Sequence, residues 1–164
     1  NCIASLLKEG DEGAIIEGKA GATSGEDRKD GCREAFEKAG LNIVDSQPAD
    51  WDKTKAYDLA TNLISKSENL KAIYCCNDTM AMGAQEAVAN SGKDIIVVGT
   101  DGNSDAIDSV KAGNLTATIA QNPKEVGARS LELLVEAYRA GQKPGDKDRI
   151  DERIDPILVT ETEN

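Results

Sequence analysis

Five side chains stand just beyond successive apolar runs of the sequence: Arg28, Trp51, Asn77, Asp101 and Gln121. Their chemistry is that of recognition. A guanidinium and two amides donate hydrogen bonds, a carboxylate accepts them, and an indole offers a flat apolar face. None is a base poised near neutral pH, and the 164-residue chain has no histidine to supply one. Ser-His-Asp and Cys-His arrangements are therefore excluded, which argues against an enzyme.

Each of the five also has a plainer reading. Asn77 and Asp101 precede helical stretches, where Asn and Asp serve as N-caps. Gln121 follows an apolar run, and capping does not call for its amide. Arg28 is expected in the first turn of its helix, after Ser24-Gly25-Glu26-Asp27, where a cation opposes the helix dipole by about 0.3–1 kcal/mol. An acidic partner or a polar ligand would offset that cost; a surface pair with Glu26 or Asp27 is the ordinary alternative. Trp51 is the only tryptophan, set in SQPADWDK between two carboxylates. Asp50 and Asp52 are poor company for a core anchor and suit a wet rim.

Other motifs fall short of a chemistry. GKAGATSG (18–25) matches neither G-x-G-x-x-G nor G-x-x-x-x-G-K-[ST]. DGNSD (101–105) begins like a calcium loop, but Ala106 replaces the required glycine and Ala112 the bidentate glutamate. Cys2, Cys32, Cys75 and Cys76 form no C-x-x-C, and buried free thiols are expected in place of a zinc site. Asn77-Asp78-Thr79 and Asn114-Leu115-Thr116 are formal glycosylation sequons at strand edges, read as chance. No metal and no cofactor are expected. The formal net charge of −11, without a Lys/Arg cluster, argues against nucleic acid and anionic membrane. No apolar run approaches the roughly 20 residues that span a bilayer.

The elements that must position these residues alternate strictly. Apolar runs at 14–18, 42–47, 71–77, 95–101, 115–121 and 156–160 are separated by helical stretches near 25–39, 52–67, 78–91, 103–112 and 123–140. Short Ile/Val-rich runs suit strands buried on both faces, so the expected fold is α/β, a doubly wound, mostly parallel sheet with helices on both faces. In such sheets ligands bind beyond the carboxyl ends of the strands, where the five residues fall. NCIASLLKEG reads as the tail of an amphipathic helix, with Ile3, Leu6 and Leu7 on one face and Gly10 as its stop. With no initiating Met and no signal peptide, a fragment is expected. GQKPGDKDRIDER (141–153) reads as a connector.

EGKAGATSGEDRKDG, SQPADWDKTKA, CCNDTMAMGA, VVGTDG and TATIAQNP, in this order, resemble the C-terminal lobe of the ribose/allose-type periplasmic sugar-binding proteins. The resemblance runs from about residue 10 to the end. NDTMAMGA and VVGTDG alone resemble the effector domains of LacI-type repressors almost as well, so an effector-binding lobe of a regulator is the alternative; a small hydrolase or transferase is a more distant one. The resemblance implies a two-lobed, extracytoplasmic receptor, periplasmic or a cell-surface lipoprotein, that delivers a monosaccharide to an ABC transporter permease. It implies that Arg28 donates to sugar oxygens and Trp51 stacks on a pyranose face. Asn77, Asp101 and Gln121 would pair with hydroxyls, and Asp101 would also pair with Arg28. It divides the chain into a sugar-binding lobe (1–121), a crossover helix and connector belonging to the absent lobe (122–154) and a returning strand (155–164). The 123–140 helix would then display Val126, Leu131, Leu134, Val135 and Tyr138, and a homodimer through that helix or its folding back is expected to cover them.

Overall fold

A computed structural model describes residues 2–143, 145 and 152–161. In chain order the elements are α1 (Cys2–Leu6), β1 (Glu12–Glu17), α2 (Thr23–Lys38), β2 (Asn42–Pro48), α3 (Lys53–Lys66), β3 (Leu70–Cys75), α4 (Asp78–Ser91), β4 (Ile96–Asp101), α5 (Ser104–Lys111), β5 (Ala117–Ala120), α6 (Pro123–Arg139) and β6 (Ile157–Thr160). The sheet order is β2-β1-β3-β4-β5-β6, and every pairing from β2 through β5 is parallel. The doubly wound α/β expectation is thus met. The chain divides into two compact units, Asn1–Ala120 with Leu158–Asn164, and Gln121–Ile157.

In the first unit the sheet is the core. Ala14, Ile15 and Ile16 of β1, Ala72, Ile73 and Cys75 of β3, and Val97 and Val98 of β4 are all buried, as central strands covered on both faces must be. Small residues let the layers close. A Cβ on Gly13 would overlap the Phe36 ring of α2, and one on Gly83 of α4 would overlap the Lys53 carbonyl of α3. Strand order reverses between β1 and β3, whose neighbours run out in opposite directions. The loops leaving these two strands therefore diverge and open a crevice at their carboxyl ends.

Two local expectations need correction. Ile3 is buried and Leu7 packs on the core, but Leu6 is 55% exposed. The helix is only five residues long, and its packing side runs from Ile3 to Leu7 just past its end, leaving Leu6 turned off that line. Helix α2 begins at Thr23, so Arg28 is its sixth residue and lies beyond the first turn, where the dipole effect has faded. The 141–153 connector lies largely outside the described residues, as does the side chain of Cys2.

In the second unit α6 is a single long helix with no buried residue. Val126, Leu131, Leu134, Val135 and Tyr138 are exposed, Tyr138 by 83%. Arg129 joins Glu132, Glu136 and Glu152 in a surface network.

Candidate functional site

The candidate site is assembled at the strand ends of the first unit, around Arg28. One face of α2 turns toward the sheet, and the guanidinium reaches two partners from it. Its Nη1 donates to the Cys76 carbonyl at 2.7 Å and its Nη2 to Asp101 Oδ1 at 2.8 Å. Both side chains are half-buried, at 20% and 26% exposure, so the pair is largely but not wholly shielded from solvent. A surface pair with Glu26 or Asp27 is not what forms: Glu26 is held by Lys29.

Asp101 ends β4 with φ 133°, and Gly102 follows at φ 74°. A positive φ in a non-glycine residue costs on the order of 1–3 kcal/mol and persists only where the surroundings enforce it. They do so here. Glycine at 102 is required because a Cβ would overlap Ala120 of β5. Asp101 is not a helix cap, since the N-cap of α5 is Asn103.

Trp51 follows β2 in a turn where Asp50 and Trp51 both have positive φ, 55° and 65°. That turn lays the indole over Gly18, just past β1, and Gly25 of α2, with no room for a Cβ at Gly18. The ring is half-buried, backed by glycine and packed against the core edge. Its carboxylate neighbours have duties of their own. Asp52 Oδ1 caps α3 by accepting from Lys55 N at 2.8 Å, and Asp50 pairs with Lys55 Nζ at 2.7 Å, which holds its carboxyl below the usual range. Trp51 is thus core-backed on one face.

Asn77 is the N-cap of α4, its Oδ1 accepting from Met80 N at 2.9 Å. Its Nδ2 is engaged by no described residue. Gln121 is the first residue of the other unit, directly after β5, and is exposed. Four of the five candidates, Arg28, Trp51, Asn77 and Asp101, therefore belong to one strand-end cluster within one unit.

Two features escaped the sequence reading. Gly18 and Gly25, taken as a failed phosphate loop, are clearance for the tryptophan. Asp78 is fully buried, and burial raises its carboxyl pKa against the hydrogen bonds from Thr118, Asn103 and Gly102 that lower it. Burial likewise pushes the Cys76 thiol up to about 11 and the Cys32 thiol to about 12, and raises Cys75 further from ionisation. All three are free thiols, and among the described residues no cluster could hold a metal ion. A cavity of about 230 Å³ beside Arg28 is lined by Cys32, Phe36, Tyr74, Val98 and Ile119. Those walls are mostly apolar and unlike the polar cluster at the strand ends.

A half-buried ion pair, an indole with a glycine-backed face and an amide, brought to the carboxyl ends of parallel strands, are the kinds of groups found in the small-molecule sites of open α/β proteins. The periplasmic binding protein domain model matches residues 1–143, and the chain belongs to that family. It is 54% identical over 163 residues to the D-allose-binding periplasmic protein of Escherichia coli K12, covering 97% of this chain and 52% of that one. It is 35% identical to the ribose import binding protein RbsB of Haemophilus influenzae, covering 90% and 51%. A solved ABC transporter periplasmic solute-binding protein from Actinobacillus succinogenes, with bound D-allose, superposes with a TM-score of 0.84 at 33% identity over 97% of this chain and 55% of that one. A Bacillus halodurans solute-binding protein with bound myo-inositol gives 0.80 at 31%, covering 97% and 54%. The chain spans about half the length of the curated relatives it matches.

Proposed function

We propose that this chain is the C-terminal, sugar-binding lobe of an extracytoplasmic solute-binding protein that delivers a monosaccharide of the allose/ribose kind to an ABC transporter permease. The observation that carries the reading is the half-buried Arg28–Asp101 pair, formed from the same helix as Gly25, over which the Trp51 ring lies. A sugar presents a C–H face and a ring of hydroxyls that both donate and accept. The indole takes the face, the guanidinium donates, the Asp101 carboxylate accepts, and Asn77 Nδ2 donates. Gln121 is assigned to a further hydroxyl from its place after β5 in the chain.

On this reading residues 122–154 belong with the second lobe of the two-lobed protein, and 155–164 return to the sheet. The second lobe supplies the other wall of the cleft, so this chain by itself binds at about millimolar strength, roughly 4 kcal/mol. Titration with D-allose, D-ribose and other hexoses and pentoses, followed by Trp51 fluorescence and by NMR shifts of the Trp51 indole and Arg28 guanidinium, tests it. Saturable shifts at millimolar sugar support the lobe. No shift with any sugar overturns the site, and a micromolar isotherm overturns the need for a second wall. The apolar face of α6 is proposed to associate with a second copy when the other lobe is absent; a monomer in sedimentation at high concentration overturns that.

A further inference from the structure

The peptide that follows Asp101 is held by a carboxylate with no place in the ligand set above. Asp78, the first residue of α4, is fully buried. Its Oδ2 accepts from the Asn103 backbone N–H at 2.8 Å, and its Oδ1 accepts from the Thr118 hydroxyl at 2.6 Å. The same Thr118 oxygen accepts from Gly102 N at 3.3 Å. Both peptides after Asp101 are therefore fastened to one buried carboxylate, one directly and one through Thr118. Gly99 completes the fit, because a Cβ there would overlap Asp78 Oδ1. These bonds clamp the segment in which Asp101 takes its positive φ, and that φ aims the carboxylate at Arg28.

We infer that Asp78 is a positioning residue for sugar binding: it locks the Gly102-Asn103 turn and so fixes the Asp101 carboxylate where it meets Arg28 and the ligand. The inference rests on the sugar-binding reading of Arg28 and Asp101. Neither oxygen of Asp78 reaches the ligand; its effect passes through the backbone. Asp78→Asn keeps the shape but replaces one acceptor with an NH₂ that faces a donor, so one of the two fastenings is lost.

The test compares the unsubstituted chain with Asp78→Asn, Thr118→Val and Thr118→Ser, using NMR titration with D-allose and amide hydrogen exchange without sugar. Asp78→Asn is expected to weaken sugar binding by roughly five- to tenfold and to speed exchange at Gly102 and Asn103, while amides of β1 and β3 stay protected. Thr118→Val is expected to do the same more mildly, and Thr118→Ser, which keeps the hydroxyl, to restore both readouts. Should Asp78→Asn fail to fold, the Val/Ser contrast at Thr118 decides. Unchanged affinity in Asp78→Asn beside a binding unsubstituted chain overturns the positioning role alone. Equal weakening by Val and Ser at 118 also overturns it, since the hydroxyl would then be irrelevant. An unsubstituted chain that binds no sugar overturns the functional reading first and this role with it.

Discussion

Helices α2 and α6 are of nearly equal length, sixteen and seventeen residues, and their sequences point the wrong way about their fates. α6 carries a regular apolar stripe and buries none of it. α2 is charged along most of its length, yet it buries Gly25 and Phe36 and carries the central residue of the site. The difference teaches that a helix's stripe records what it is built to meet, whereas its burial records what is there to be met. For α2 the sheet is present in the same unit, and two small or aromatic contacts suffice to seat it. Arg28 can then leave the helix toward Asp101 because the helix is held by something else.

The largest expected effect breaks the comparison at its base. Phe36→Ala empties the pocket against Gly13 and should cost about 3–5 kcal/mol in urea denaturation. Leu134→Ala on α6, at 65% exposure, should stay within about 0.5 kcal/mol at low protein concentration. A large and concentration-dependent cost at Leu134 would mean that a second copy covers α6, and the two helices would no longer differ in kind.

Next in size is the pair of arginines. Arg28→Met leaves the Asp101 carboxylate half-buried without its partner and strips the site of its main donor. Sugar binding should fall by about 2–3 kcal/mol, or roughly 30- to 150-fold. Arg129→Met breaks a longer roster of ion pairs on α6, all on the surface, and should leave both affinity and unfolding midpoint unchanged. Equal effects at the two positions would show that counting partners, and not burial, was the right measure.

Much of this was legible in the sequence, and unevenly. Strands β1, β3 and β4 fall close to the apolar runs because strands buried on both faces cannot tolerate polar interruptions, whereas β2, at the sheet edge, carries Asp45, Ser46 and Gln47 and buries none of its residues. Arg28 meeting Asp101 was legible as chemistry, a cation in want of an anion, although the dipole premise placed Arg28 a turn too early. Asp78 was invisible, because an aspartate opening a helix is ordinary and nothing local reveals that Thr118, 40 residues on, closes over it. Gly18 and Gly25 were misread for the same reason: the clearance they provide belongs to Trp51, which the sequence places far away.

A third difference between the helices appears at alkaline pH. On α2 lies Cys32 and against it Cys76, whose thiols burial raises from 9.0 to about 12 and about 11; α6 has no buried titratable group among its described residues. The folded chain keeps protons that the unfolded chain surrenders. The stability these thiols carry is therefore complete below pH 9 and lost as pH rises through about 11 and then about 12. The loss at Cys76 should be on the order of 2–3 kcal/mol, read from urea midpoints between pH 8 and 11.5. Cys76→Ala should flatten the first part of that decline. A flat profile in the unsubstituted chain would mean that the thiols are already solvated.

The smallest effect separates two duties of one residue. Asn77 caps α4 through Oδ1 and, on the proposed reading, gives its Nδ2 to the sugar. Asn77→Asp retains an oxygen for the Met80 N–H, so α4 should lose no more than a few tenths of a kcal/mol. It removes the amide donor and should weaken binding by about 1 kcal/mol, roughly fivefold. Asn77→Ala should weaken binding to a similar degree and destabilise the helix by about 1 kcal/mol as well. If Asn77→Asp binds as the unsubstituted chain does, Asn77 is a cap alone. Within the first unit the rim would then consist of what α2 and the strand ends bring without α4: one ring, one guanidinium and one carboxylate.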